Sequence, residues 1–510
     1  MKKIHNKVTL LNILSNCILQ FVTIISGFVI PKIILNYFGS EVNGLISSLN
    51  QFLNYIYLVE GGLTGVITAS LYKPIVNKEY DKISSIIKTA NKFYKKIGLI
   101  FVIYTIILAI AYPLIVDVHF SFSYVFILTL ILSTSLLIQY LFSISIRILL
   151  NADKKVYIVA FTQSLILILS CVFAYLSVKI YPSIHVLKGI TGLLFLLQPI
   201  IFNKYQKEFY KLNLNAKEDN DLLRNRWDGF AINIAYFIHN STDITILTFL
   251  KDLSIVSVYS VYALVTSGIR SLINSITVGI NPVLGQAYAR GNLEEINNKM
   301  DMYEYIIFML VFIIFSVGAL LITPFVMLYT NGIKDANYFQ PLLGYLMLIA
   351  EALYLLKFPH LNLAYVANKF KEITKPAFIE AFINIVLSLI LVFIYGINGI
   401  LIATIIAMIY RMIYHVNYTK TIIPNRSPII FYKKFFVFCF FDLIAICISI
   451  LLIPVVKGGI LNWLFSAFIY TIVFLVVYSV ASLLLYKNEI NYLINYLRKK
   501  DYKWKKLQSY

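Results

Sequence analysis

Fourteen stretches of this 510-residue chain follow one another, nearly all of them as long as the roughly 20 apolar residues that carry a helix across a bilayer, with turns between them. They run over residues 8–30, 43–71, 97–116, 122–146, 156–178, 186–202, 229–250, 254–282, 303–329, 338–360, 376–395, 397–418, 435–456 and 460–486. Of all residues 60% are hydrophobic and 13% charged, which is more apolar surface than a water-soluble core can hide. The period-two alternation of an outer-membrane barrel is absent. The sequence therefore predicts an all-α polytopic membrane protein of about 14 transmembrane helices.

An even number of crossings places both termini on one side, and the distribution of cations says which. Of the 44 Lys and Arg, 37 fall toward the side of the N-terminus, six fall toward the other side, and Arg270 lies near the middle of a span. The positive-inside rule then puts both termini in the cytoplasm. The same asymmetry accounts for the net charge of +20: a basic face against anionic membrane lipids explains it, and no nucleic-acid partner is required. The basic residues 1–7 followed by an apolar run resemble a signal peptide, but the run is too long and lacks a small-x-small cleavage site, so a retained first span is expected.

Sliding one half over the other by 211–217 residues exposes a repeat. FGSEV at 38–42 matches FLKDL at 249–253, YKPIVNKEYDKI at 72–83 matches GQAYARGNLEEI at 285–296, Pro113 matches Pro324, Gln139 falls near Glu351, and Gln163 near Glu380. Six spans separate equivalent points, so the halves enter the membrane in the same sense. The expected organisation is an N-terminal lobe over 1–203, a polar cytoplasmic linker over 204–228, a C-terminal lobe over 229–418, two appended helices within 419–486 and a basic tail over 487–510. That makes two pseudo-symmetric six-helix lobes plus two C-terminal helices, with a substrate site expected between the lobes.

The leading spans of each half carry polar stripes at helical spacing. In the eighth span Ser260, Ala263, Ser267, Arg270, Asn274, Thr277 and Asn281 share a face. Comparable stripes are Thr9, Asn12, Asn16, Gln20 and Thr23 in the first span, Asn50, Asn54, Tyr57, Gly61 and Thr64 in the second, and Gly229, Asn233, Tyr236, Asn240 and Asp243 in the seventh. Helix packing through small and polar residues produces such stripes without any substrate. Their concentration on the leading spans favours the wall of a hydrated cavity. An arginine at mid-span costs roughly 2.5 to 3.5 kcal/mol on an insertion scale, so Arg270 is expected to contact substrate or to pair with Glu60 or Asp243. The expected cavity residues are Arg270, Asn274, Ser267, Asn16, Gln20, Asn54, Asn233 and Asn240. Glu60, Asp243, Glu351 and Glu380 are the candidates for ion coupling or charge pairing, with Na+ or H+ as the coupling ion.

Cys17, Cys171, Cys439 and Cys447 all sit in apolar segments, where buried packing is expected rather than disulfide or metal chemistry. There is no GxxxxGK[ST], HExxH, GxSxG or CxxC pattern, so no enzyme activity, metal or organic cofactor is expected.

The stretch 12–75, NILSNCILQFVTIISGFVIPKIILNYFGSEVNGLISSLNQFLNYIYLVEGGLTGVITASLYKPI, resembles bacterial polysaccharide-biosynthesis flippases of the Wzx type. These belong to the multidrug/oligosaccharidyl-lipid/polysaccharide exporter superfamily. The likeness lies in a first span leaving through PKIILNYFG, then a long second span closing on GGL and YKP. It implies a flippase of the bacterial cytoplasmic (inner) membrane that moves undecaprenyl-pyrophosphate-linked glycan units of O-antigen, capsule or exopolysaccharide by alternating access. Glycosyltransferases and a polymerase of the same pathway would be its partners. Relatives place arginines in spans one, two and eight around the pyrophosphate. Arg270 alone matches here, and span two has Glu60. The alternative is a Na+ or H+ coupled multidrug exporter of the same superfamily, which would need neither the last two spans nor Arg270.

Overall fold

The computed structural model describes the backbone of residues 2–60, 63–210, 212–213, 216–219, 230–453, 456, 458–487 and 489–492, and their side chains apart from 2–7, 9, 230–233, 235–236, 238–240, 275–276 and 278–282. Among the described residues every regular element is helical. In order these are α1 Lys2–Leu53, α2 Ile56–Glu60, α3 Leu63–Asn77, α4 Tyr80–Ile115, α5 Phe122–Ile138, a π-turn Gln139–Ser143, α6 Ile144–Ala152, α7 Val156–Ile180, α8 Ile184–Leu193, a 3-10 turn Leu194–Leu196, α9 Leu197–Phe209 and α10 Phe230–Leu250. They continue with α11 Leu253–Ala289, α12 Leu293–Tyr329, α13 Pro341–Leu356, α14 Phe358–Val366, α15 Phe370–Tyr395, α16 Ile397–Ile422, α17 Ile429–Leu452 and α18 Ile460–Leu485. Among the described residues twelve helical segments are long and apolar enough to cross a membrane. The first of them contains the non-helical Gly39 and so holds two expected spans, while α10 covers the expected seventh. The protein is a multi-pass membrane protein.

The break at Gly39 has a local cause. Its φ of +84 lies where only glycine is unstrained, and the helix that restarts is capped by Asp335. The Asp335 carboxylate accepts from the Ser40 amide at 2.7 Å and from the Ser40 hydroxyl at 2.6 Å, satisfying N-terminal donors as an N-cap does.

Contacts group the chain into two compact units, Met1–Ser260 with Gly332–Ala336, and Val261–Asn331 with Asn337–Tyr510. Gly332–Ala336 joins the first unit through the Asp335 cap. The grouping divides at Ser260 rather than in the 204–228 linker because α10 and the first turns of α11 pack on α1. Phe249 meets Phe52 edge-on at 5.6 Å. Asn43 Nδ2 donates to Ser257 Oγ at 2.8 Å. A Cβ on Gly44 would stand 1.8 Å from the Leu253 carbonyl oxygen, so that crossing requires glycine.

The expected repeat is visible in the backbone. Helices α4 and α12 start at Tyr80 and Leu293, α7 and α15 at Val156 and Phe370, and α9 and α16 end at Phe209 and Ile422, separations of 213, 214 and 213 residues. Left-handed residues recur at the same offset: Lys78 (φ 59) and Gly291 (φ 69) stand before α4 and α12, and Lys154 (φ 60) and Asn368 (φ 57) before α7 and α15. These turns have one design twice.

In the second unit α17 and α18 are fastened to α12 by stacked and edge-on rings, with Phe308 meeting Phe431 at 5.1 Å and Phe438 at 5.2 Å, and Phe438 meeting Tyr478 at 5.3 Å. Outward faces are as apolar as the core: Ile180, Leu451 and Leu461 are largely exposed. That corrects one expectation. The cysteines are unpaired, but none is buried, Cys17 and Cys447 being exposed and Cys171 and Cys439 intermediate. Lipid is as apolar as a leucine core, so hydropathy cannot say which face of a span a thiol occupies.

Candidate functional site

In the first unit the polar side chains gather where the helices are interrupted. Glu60 ends the short α2, which begins after a break at Asn54, whose amide still bonds Asn50 O at 3.0 Å. Its carboxylate accepts from the Thr64 hydroxyl, Thr64 Oγ1 lies 2.8 Å from Tyr94 Oη, and Tyr140 Oη donates to Glu60 Oε2 at 3.1 Å. Tyr140 sits in the π-turn that starts at Gln139, and such inserted turns redirect consecutive side chains. Gln139 accepts from Arg147 Nη1 at 3.3 Å and also lines a cavity of about 270 Å³ with Gln20, Thr23, Gln163, Phe195 and Gln198.

In the second unit the interior is charged. Arg270, on α11, pairs through Nη1 with Glu351 Oε1 of α13 at 3.1 Å, and its guanidinium carbon is 5.7 Å from the Tyr354 ring. The Lys357 ammonium lies over that same ring at 4.2 Å and 3.4 Å from Met408 Sδ. Lys357 is 2% exposed. Beyond it Glu380 of α15 is ion-paired with Arg411 of α16, whose Nε donates to His415 Nε2 at 2.8 Å. Three cations thus stand among two carboxylates. Interhelical pairing of this kind is how a span carries charge at all.

A second charged cluster sits where the appended helices join. Glu304, on α12, is 0% exposed and receives Arg426 Nη2 at 2.6 Å and Lys434 Nζ at 3.2 Å, with His360 Nε2 lying 3.3 Å away. Arg426 also meets Asp301 at 2.8 Å. Burial alone would lower the pKa of Arg426, but Glu304 and Asp301 outweigh it and hold it above its ordinary value. Next to these helices runs an apolar groove of about 480 Å³ walled by α12, α13 and α17, among whose residues are Phe312, Leu348, Phe435 and Ile446. One wall carries Asp442, which accepts from Ser316 at 2.9 Å and Tyr478 at 3.1 Å.

The residues expected from sequence are thereby placed. Arg270 is ion-paired with Glu351, and Glu60 accepts from Thr64 and Tyr140. Asp243 accepts from Tyr259 at 2.6 Å. Ser267 bonds back to its own helix at 3.1 Å. Asn274 Oδ1 is buried with no hydrogen-bond partner among the described residues. Gln20 lines the glutamine cavity, and Asn16 is exposed, donating to Asn12 O at 2.8 Å. The first polar stripe begins as packing, since Asn12 bonds Lys154 O and the Tyr157 amide at the start of α7. The side chains of Asn233, Asn240 and Asn281, and the tail beyond residue 492, lie outside the described residues.

Sequence reasoning missed Lys357, Arg411, Arg426 and Lys434, counting all four only among the cations of the cytoplasmic side although they are buried. The available signal was company: Lys357 and Arg411 stand within apolar surroundings that also hold Glu351 and Glu380.

No family model matches the chain, and no curated protein matches it by sequence. Solved structures do. The lipid II flippase MurJ in an inward closed conformation superposes with a TM-score of 0.70 at 19% identity, covering 93% of this chain and 100% of MurJ. The chain shares the fold of that structure. The Vibrio cholerae MATE transporter VcmN, solved as a point mutant, gives a TM-score of 0.60 at 11% identity over 83% of this chain and 98% of its own. An inward-facing multidrug resistance MATE family transporter of the MOP superfamily gives 0.55 at 14% identity, over 80% and 96%.

Proposed function

We propose that the protein flips undecaprenyl-pyrophosphate-linked oligosaccharide repeat units, of the kind used for O-antigen, capsule or exopolysaccharide, across a bacterial cytoplasmic membrane by alternating access. Both termini would face the cytoplasm, where glycosyltransferases build the substrate, and a polymerase would receive the product. Lobes 1–203 and 229–418 would be the moving halves.

One observation carries the reading: the second unit holds a charged interior and an apolar groove in the same body, the groove being walled in part by the appended α17. A cargo with an anionic head on a polyprenyl chain needs both. A soluble drug needs only the first. The share of chain matched agrees. Residues 1–428 are about 84% of the sequence, so a superposition covering 93% draws on the region beyond 428 in which α17 and α18 lie, while the MATE matches at 80% and 83% do not require it.

Arg270 and Lys357 would hold the pyrophosphate by charge-assisted hydrogen bonds. Glu351 occupies Arg270 until the anion displaces it. Asn274, with an oxygen lacking a partner among the described residues, and Ser267 on the same helix would contact the first sugar.

The test is leaflet transfer of an undecaprenyl-pyrophosphate-linked glycan in proteoliposomes. Wild-type protein is expected to transfer it and Arg270→Ala to lose about tenfold or more, with protein content of the vesicles unchanged. Equal transfer by the variant would remove the proposed role. A deletion strain sensitised to drugs but with normal surface polymer would move the assignment to multidrug export.

A further inference from the structure

The glutamine cavity of the first unit is not required by the pyrophosphate site and asks for a ligand of its own. Four amide side chains, Gln20 on α1, Gln139 in the π-turn, Gln163 on α7 and Gln198 on α9, converge on one space. Its volume of about 270 Å³ is more than ten times the roughly 10–15 Å³ that admits one water. Gln198 is 1% exposed and its Oε1 has no hydrogen-bond partner among the described residues. A buried amide oxygen left without a partner costs about 1–3 kcal/mol, a penalty that a bound donor removes.

The chemistry of the lining selects the class of ligand. Among the described residues no Lys, Arg, Asp or Glu lines the space, so a formal charge brought here would meet no counter-charge in that wall. Each amide offers two donors and an acceptor, which matches groups that also do both, namely hydroxyls. Leu19, Ile166, Leu167 and Phe195 complete the wall and suit the C–H face of a ring. The π-turn couples the cavity to the neighbouring carboxylate: Gln139 faces the cavity and takes the Arg147 hydrogen bond, and the next residue, Tyr140, bonds Glu60.

We infer that this cavity binds one neutral, polyhydroxylated sugar ring, and so reads a monosaccharide of the carried glycan separately from the anionic end. The sugar's belonging to a carried lipid rests on the flippase reading; the binding of a neutral ring does not.

Binding is read without any lipid, by saturation-transfer NMR on the purified protein in nanodiscs with the methyl glycosides of glucose, galactose, N-acetylglucosamine and rhamnose as probes. At least one is expected to bind, and the pair Gln163→Leu with Gln198→Met to weaken it about tenfold or more. Gln20→Leu, at the more open rim, provides a second variant should the pair fail to fold. No binding by the wild type, equal binding by well-folded variants, or glutamine-dependent uptake of radioactive sodium in place of a glycoside would each overturn the inference. A protein that fails to transfer lipid-linked glycan yet binds a glycoside through these glutamines keeps the cavity's role and loses the proposed function.

Discussion

Two stretches of helix laid out on one plan have been furnished in opposite ways. Helix starts and left-handed turns recur 213 or 214 residues apart, yet the polar interior of the first unit gathers Gln20, Gln139, Gln163, Gln198, Tyr94 and Tyr140 near the carboxylate of Glu60. Within the second stand Arg270, Glu351, Lys357, Glu380 and Arg411. Amides and phenols enter an apolar environment at modest cost and leave little electrostatic memory of their arrangement. Charges enter only with partners, and a missing partner is expensive. A repeated scaffold thus supports a soft, adaptable lining in one half and a rigid, selective one in the other.

Removing a carboxylate should strike the second unit hardest. Glu304→Ala leaves Arg426 and Lys434 buried with one carboxylate fewer and is expected to cost about 3–5 kcal/mol, read as a fall in Tm of the purified protein. A change no larger than that of an exposed substitution would show that the charged lining is not what holds this unit together. Lys357→Met tests the same contrast with the opposite sign. The ammonium's hydrogen-bond contact is a thioether, so its removal should raise Tm while lowering glycan transfer; a fall in Tm would mean that Lys357 is structural. In the first unit Tyr140→Phe removes one donor to Glu60 and should cost about 1.5–3 kcal/mol, and Gln198→Met, which takes an unsatisfied oxygen out of the interior, should be near neutral by the same measurement.

The smallest effect expected is at the turn before α5. The exposed His119 is hydrogen-bonded to Glu41 at 2.8 Å, and that bond first, then the charges of Glu41, Asp117 and Asp252, raises its pKa above 6.5. A raised histidine pKa stabilises the fold below the unfolded value and ceases to do so as pH climbs through the folded one. The Tm gap between wild type and Glu41→Gln should therefore open near pH 5.5 and close by about pH 8.5. A gap of equal size at both would assign the contact to packing.

Crossings and repeat were legible because both are local: hydropathy counts neighbours along the chain, and a turn writes itself into a few residues such as YKPIVNKEYDKI and GQAYARGNLEEI. Partnership was not. Glu351 finds Arg270 81 positions away and Glu304 finds Arg426 122 positions away, distances at which no periodicity speaks. Cations near the ends of apolar runs look like loop charges in sequence, and Lys357 and Arg411 were read that way because their carboxylates lie on other helices. The glutamine cavity was half visible, since Gln139 and Gln163 stood out as repeat partners of Glu351 and Glu380, but nothing in the sequence joined them to Gln198.

The Glu304 cluster has a mechanical consequence for the groove beside it. Its carboxylate sits on α12 and Lys434 on α17, two of the three helices that wall that groove, so these walls are riveted at one end and travel as a pair. A channel of fixed width does not squeeze out what it holds. Whatever threads it must slip lengthwise or sideways into the surrounding lipid, and so the tail of a cargo would keep its berth while the head changes sides.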